Sequence, residues 1–217
     1  MKRVLVTVLL ILGVSFVYAQ DKTAKDYKIE GADAYKAKDY QKGLTSFEQA
    51  INLYEAEGKI DTSLYYNAGI CAIKVDNFEK AVSYFNKSSE LDYKVCNSEL
   101  YKANALMKLE NYGEMEKVAT AGIAKCPKDK SKFNDLLFQY YLKSGLDIFN
   151  GAAKMQAEVT PLATSDPEKY KEEMVKVKDE FKKSLPYLEK AKAIEPKDEN
   201  VNKAINQANE IISTEIK

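Results

Sequence analysis

Apolar side chains return every three or four positions through most of this chain, which is the spacing of a helix with one buried stripe. Three stretches repeat the pattern in phase: Gly31 to Ala50, Gly69 to Ser88 and Ala103 to Gly122. Each opens on a small residue and reaches an aromatic nine positions later, at Tyr40, Phe78 and Tyr112. Just before the aromatic sits a polar pair, Lys38-Asp39, Asp76-Asn77 or Glu110-Asn111. Three positions after it stands Gly43, Ala81 or Met115, and four further on Phe47, Phe85 or Ala119. The copies are offset by 38 residues (31 to 69) and 34 residues (69 to 103). A recurrence of this length predicts stacked helical hairpins, because one hairpin alone cannot bury its stripe. Asp39, Asn77 and Asn111 are placed to cap the second helix of each pair. The small residues let paired helices approach closely.

The remainder keeps the helical period but lengthens it. Ser131 to about Glu158 reads as one long helix and 160–165 as a loop. Asp166-Pro167 then opens a second long helix, with Asp as N-cap and proline in the first helical position. Pro186 lies inside this helix and should bend it. Its partner register could be set on Leu137 or on Gly145. Gly145 and Gly151 are each suited to a close crossing or a bend. A last helix, about Asp198 to Thr214, carries Val201, Ala204, Ile205, Ala208, Ile211 and Ile212 on one face and polar residues on the other. Such a helix closes a stack; an apolar stripe of this kind also suits homodimerisation. The charged run from Glu168 to Lys183 is either a docking strip or, more simply, a solvated face laced by i,i+4 pairs.

The phased residues resemble the tetratricopeptide repeat (TPR) family. Tyr27, Gly31, Tyr40, Phe47 and Ala50 carry the likeness in the first copy, and Tyr65, Asn67, Gly69, Phe78, Ala81 and Phe85 in the second. In the third, Ala103, Tyr112 and Pro127 hold while Met115 and Ala119 depart. The resemblance implies an all-α, right-handed superhelical solenoid of antiparallel hairpins at about 24–57, 62–95 and 96–129. An enlarged fourth hairpin (130–197) and a capping helix (198–215) complete one repeat domain over 20–217. It also implies a concave face, lined by the first helix of each hairpin, that binds a protein or peptide. On this chain that face would present Lys28 and Tyr35, then Tyr66 and Asn67, then Tyr101 and Asn104, with Lys36 among the lysines at its edge. Some relatives grip a peptide's terminal carboxylate with a set of lysines and asparagines. Only Lys28 and Asn67 match that set, while Ala32, Asn97 and Tyr101 fill its other places, so this clamp is not expected here.

Composition narrows the chemistry. The chain has no histidine, which excludes His-based acid–base catalysis, a Ser-His-Asp triad and His-ligated metal. No carboxylate pair is placed for catalysis, so no catalytic residue, metal site or cofactor is expected. Residues 1–19 read as an export signal. Lys2 and Arg3 precede an apolar run from Val4 to Val17, and Val17-Tyr18-Ala19 offers a cleavage site. The run is shorter than the roughly 20 residues of a spanning helix, so no membrane span is expected after cleavage. Losing Lys2 and Arg3 leaves 31 of the 33 basic side chains against 33 acidic ones, a net charge of −2. That balance does not suit nucleic acid. The expectation is an exported protein, periplasmic or secreted. In an oxidising compartment Cys96 and Cys126, at the two ends of the third hairpin, are placed for a disulfide, the alternative being three free buried thiols, and Cys71 is placed for a buried, inert thiol. The function expected is a non-catalytic interaction scaffold. The alternative is a periplasmic protein that binds a glycan or small ligand on Tyr35, Tyr66 and Tyr101.

Overall fold

The computed structural model describes residues 22–216. The expected export signal lies outside these residues. The described chain is helical throughout: α1 (Ala24–Lys36), α2 (Tyr40–Ala56), α3 (Thr62–Lys74), α4 (Phe78–Glu90), α5 (Val95–Lys108) and α6 (Tyr112–Lys125) form three short hairpins. A 3₁₀ turn (Pro127–Asp129) leads into α7 (Lys130–Val159), followed by α8 (Leu162–Ser165), α9 (Pro167–Ile194) and α10 (Glu199–Ser213). Each helix from α1 to α7 packs on its neighbour in chain order, and α9 packs on both α7 and α10. The result is a solenoid of antiparallel hairpins.

One turn is used three times within the short hairpins. The second residue after the first helix is left-handed: Lys38 (φ 62°), Asp76 (φ 55°) and Glu110 (φ 56°). The next backbone N–H turns back to the preceding helix, Asp39 to the Ala34 carbonyl, Asn77 to Ala72 and Asn111 to Leu106, each at 2.9 Å. This satisfies a carbonyl left open at the helix end. The same Asp39, Asn77 and Asn111 then cap the following helix, accepting from the backbone of Lys42 (3.1 Å), Lys80 (3.1 Å) and Glu114 (3.4 Å). One residue thus finishes one helix and starts the next, which is why three residues suffice between them.

Close crossings fix the hairpins. A Cβ on Gly31 would stand 2.7 Å from the Phe47 ring, and one on Gly69 2.9 Å from Phe85. Both rings are buried, each stabilising the fold by roughly 1.5–3 kcal/mol. The third hairpin replaces this pairing with Ala103 and Ala119, and the ring arrives from the next helix: Phe133 of α7 covers Gly122, 2.4 Å from where its Cβ would be.

The enlarged unit sets its register on Gly145, where a Cβ would meet Leu188 of α9 at 2.7 Å. Gly151 faces open space. Beyond this crossing the two helices continue and build a separate apolar cluster with α10 around Ala152, Val159, Met174, Val177, Phe181 and Ala208. Within the expected loop at 160–165, Leu162–Ser165 instead forms a helical turn, closed by the Ser165 hydroxyl donating to the Pro161 carbonyl at 3.2 Å. Helix α9 runs through Pro186 without ending. Its charged run forms pairs along its own surface, such as Lys176 with Glu172 and Glu173 (3.1 and 2.8 Å). Lys178 differs: its ammonium donates to the carbonyls of Ile212 (3.1 Å) and Thr214, holding the end of α10. Val201, Ala204, Ile205 and Ala208 of α10 are buried. This stripe packs on the chain's own α9 and α7.

Cys96 and Cys126 are joined, with Cα atoms 5.7 Å apart, and tie the start of α5 to the end of α6. Cys71 is a buried free thiol, pushed up to about 11 by burial, which makes it a poor nucleophile.

Candidate functional site

A trough of about 490 Å³ opens on the side of the stack lined by the first helices of the hairpins. Helix α1 contributes Ala32, Tyr35 and Lys36, and α3 contributes Tyr66, Asn67 and Ile70. Tyr101 comes from α5, the Phe47 ring reaches in from α2, and Lys94 enters from the turn between α4 and α5. The local helix period explains the first set: Ala32, Tyr35 and Lys36 are spaced by three and four, as are Tyr66, Asn67 and Ile70 on the next helix. Gly31 and Gly69 seat the Phe47 and Phe85 rings within their own hairpins, and Ala32 and Ile70 line the trough beside them.

Four of the six residues expected on this face line the trough: Tyr35, Tyr66, Asn67 and Tyr101. They do not play equal parts. Tyr35 is 42% exposed and offers its ring edge-on to Tyr40, 5.6 Å between centroids. Tyr66 is only 8% exposed and belongs to the core. Its ring meets Phe85 (5.7 Å), Tyr93 (5.9 Å) and Tyr101 (6.2 Å) edge-on. Burial, with Tyr101 beside it, raises its hydroxyl above the usual phenol range. Tyr101 lies stacked on Phe85 at 5.3 Å. The Asn67 amide makes no hydrogen bond to another described residue, which leaves it open to a partner.

The other two expected residues are otherwise engaged. The Lys28 ammonium pairs with Asp61, the N-cap of α3, and donates to the Ser63 hydroxyl at 3.2 Å. It ties the first hairpin to the second and is not part of the trough lining. Asn104 donates to the Leu100 carbonyl of its own helix at 2.9 Å. Conversely, the sequence reading missed Lys94. Its ammonium lies 4.4 Å from the Tyr66 ring centroid and 5.7 Å from that of Tyr93, in the range of cation–π attraction. A Lys one residue before a helix carries no periodic signal. Only the neighbouring tyrosines, once folded, reveal it.

The charge of the trough is one-sided. Its cations are Lys36 and Lys94, and no carboxylate lines it. Lys36 pairs with Asp33 at 3.2 Å, but both side chains are largely exposed, so the pair is weak. A second hollow, of about 550 Å³, lies on the outer side of the first hairpin. There Glu30 is bridged by Lys22 (2.7 Å) and Lys42 (3.2 Å), while Asp26, Asp33 and Asp39 leave the lining acidic on balance. Glu30 is held below the usual carboxylate range by these two lysines. The other strongly shifted groups are tyrosines bonded to carboxylates between helices: Tyr65 to Glu55 (2.5 Å), Tyr84 to Glu48 (2.8 Å) and Tyr141 to Glu116 (2.6 Å). Each joins neighbouring helices, and none faces the trough. Among the described residues no group of three or more Cys, Asp or Glu is placed to hold a metal ion. No described helix is long and apolar enough to cross a membrane.

The chain is similar to known tetratricopeptide-repeat proteins. No family model matches it. The Protein STIP1 homolog of Dictyostelium discoideum is 30% identical over 122 residues, covering 56% of this chain. The chain spans about a fifth of the length of that relative (21%). A TPR repeats protein from Bacteroides fragilis shares 22% identity, with 87% of this chain and 99% of that one covered and a TM-score of 0.46. The TPR2AB domain of yeast Sti1, solved in complex with pHSP90, shares 14% identity over 87% of this chain and 84% of that one, at a TM-score of 0.47. YrrB, a TPR protein with an unusual peptide-binding site, shares 15% over 84% and 92%, at 0.45.

Proposed function

We propose that this protein is a non-catalytic scaffold that holds an extended segment of a partner protein in the trough between its first and third hairpins. The observation that carries this reading is the trough itself. It spans three hairpins, has a small and aliphatic floor at Ala32 and Ile70, and carries an unpaired amide at Asn67. A rigid, preformed hollow lowers the ordering cost of a bound peptide. Tyrosine and asparagine supply rigid contact area and adaptable hydrogen bonds.

A glycan is a poorer occupant. Stacking on a sugar needs an open ring face, and the Tyr66 ring is enclosed by Phe85, Tyr93, Tyr101 and the Lys94 ammonium. Of the three tyrosines expected to stack, only Tyr35 is substantially exposed.

We further propose that the protein works outside the reducing cytoplasm. The Cys96–Cys126 bond supports this, since structural disulfides persist in oxidising compartments. The sequence of residues 1–19 supports it as well. Cell fractionation checks this part: recovery of the uncleaved chain in the cytoplasm would overturn it.

The binding reading is tested by selecting peptides from a random displayed library on the purified chain, then measuring the winners against a Tyr35→Ala/Asn67→Ala variant. Neither residue is buried, so the variant should melt like the wild type. Affinity should fall about tenfold or more. Winners that bind both proteins equally would move the site elsewhere.

A further inference from the structure

We infer that Lys94, fixed on the faces of Tyr66 and Tyr93, is the anion-reading element of the trough, and that the segment bound there carries a carboxylate. This rests on the peptide-binding reading above and adds to it the charge of the partner. Four observations support it.

First, the backbone puts Lys94 where an ordinary lysine would not sit. The α4–α5 connection is the only one of the inter-hairpin and intra-hairpin turns of α1 to α6 with two left-handed residues, Asp92 (φ 55°) and Lys94 (φ 46°). A left-handed conformation is unfavourable for a residue with a Cβ and is retained where the surroundings enforce it. At the corresponding place before α3 the chain has Asp61, extended and bonded to the Ser63 N–H as a cap. Lys94 makes no side-chain cap bond to α5. The position is therefore not explained by helix capping.

Second, the turn is rigid. The Tyr93 carbonyl accepts from the Ser88 hydroxyl at 3.0 Å and lies 3.2 Å from the Ser98 hydroxyl. Both serines are fully buried and bonded to each other at 3.0 Å. The Cys96 disulfide begins two residues further on. The backbone of Lys94 is thus held from both sides.

Third, the ammonium is held without being neutralised. Among the described residues it forms no ion pair, and its neighbours are the ring faces of Tyr66 (4.4 Å) and Tyr93 (5.7 Å). Ring faces attract a cation and leave its charge uncancelled, so the side chain is oriented and still able to take an anion. Lys28 shows the contrast: its ammonium is already paired with Asp61.

Fourth, the surroundings suit a carboxylate. The lining contains Lys36 as a second cation and the unbonded Asn67 amide, and no acidic side chain. An acidic segment would meet the unpaired Lys94 ammonium, and a basic one would find no carboxylate in the lining to offset its repulsion. The floor at Ile70 would take an apolar side chain next to the carboxylate. The occupant is therefore an acidic peptide segment with an apolar neighbour. Its carboxylate belongs either to an Asp or Glu side chain or to a chain terminus.

The test uses the peptides selected on the purified chain. Each winner is synthesised in three forms: as selected, with Asp and Glu replaced by Asn and Gln, and with its C-terminus amidated. All are titrated against wild type, Lys94→Asn and Tyr35→Ala/Asn67→Ala. Asn tolerates the left-handed backbone and carries no charge, so Lys94→Asn should melt at the wild-type temperature. A Lys94→Gly variant, free of backbone cost, repeats the measurement if it does not. We expect Lys94→Asn to weaken binding about three- to tenfold, the effect of one charge-assisted contact. The same loss should appear when the responsible carboxylate is neutralised, and the two losses should not add. Whether side-chain neutralisation or amidation produces the loss identifies the carboxylate's source. Winners that lose affinity for Tyr35→Ala/Asn67→Ala but are indifferent to Lys94→Asn and to neutralisation would overturn this inference and leave the trough standing. Winners indifferent to all the variants, or none at all, would overturn both.

Discussion

The first three hairpins and the enlarged fourth unit are made of the same element, a pair of antiparallel helices, and put it to opposite uses. In the short hairpins the helices end as soon as the crossing is made, and the inner face is left to Tyr35, Tyr66, Asn67 and Tyr101. In the fourth unit α7 and α9 run well past their crossing at Gly145, and α10 folds back over them, so the extra length is spent on a further core around Phe181. Stopping early leaves a surface open for a partner, while continuing covers it with the chain's own residues. The trough thus lies within 24–125 and the added core within 130–213.

The sharpest way to break this division is a matched pair of cavities. Phe85→Ala and Phe181→Ala each remove a fully buried ring and should cost about 3–5 kcal/mol in urea denaturation. Only Phe85→Ala should also weaken peptide binding, because Tyr66 and Tyr101 rest on that ring. An equal loss of binding in Phe181→Ala would erase the distinction.

Next in size is the disulfide that closes the third hairpin, the last of the short ones. It closes a loop of 30 residues, for which chain entropy gives about 3–4 kcal/mol. Cys96→Ser/Cys126→Ser should lose up to that amount in the same urea experiment. Alkylation of the unfolded chain without reductant should label Cys71 alone, and three labels would show that the bond is absent.

Glycine substitutions probe the crossings more finely. Gly145→Ala places a methyl against Leu188 and its backbone and should destabilise by about 1–3 kcal/mol. Gly113→Ala, on the exposed start of α6 with nothing near its Cβ, should stabilise by up to about 1 kcal/mol. Thermal melts that give both the same sign would contradict these packing assignments.

The smallest expected effect concerns pH. Burial and the bond to Glu55 push Tyr65 up to about 12, against about 10 for a tyrosine in the unfolded chain. Between these values the folded state keeps a proton that the unfolded state has lost. The stability Tyr65 contributes is therefore complete below pH 10 and falls away towards pH 12. Tyr65→Phe should flatten that decline, and an unchanged slope would show that the hydroxyl is no more shifted than any other.

Much of this arrangement is legible in the sequence, because the short hairpins obey one local rule repeated. Asp39, Asn77 and Asn111 recur beside an aromatic, and each is both the end of one turn and the cap of the next helix. The antiparallel hairpin brings Cys96 and Cys126 to the same end, which makes a bridge one of two readings, and the folded chain joins them. What the sequence left open depends on contacts distant in the chain. Gly145 and Leu137 are equally good register points until Leu188 is seen on Gly145. Lys28 and Asn104 lie on the expected face by period, but Asp61 and the Leu100 carbonyl engage them. Lys94 shows no pattern at all, since its place is set by a left-handed turn and by rings from α3 and the residue before it.

The covalent tie across the third hairpin also changes how the molecule would respond to force. A load applied at the two ends of the chain passes through the sulfur bridge and bypasses the residues between Cys96 and Cys126, so α5 and α6 can unravel without adding length. Thirty residues span about 100 Å when drawn out. A single-molecule extension trace of the oxidised protein should therefore stop about 100 Å short of the reduced one, with the hidden length released in one step when the bridge is cut.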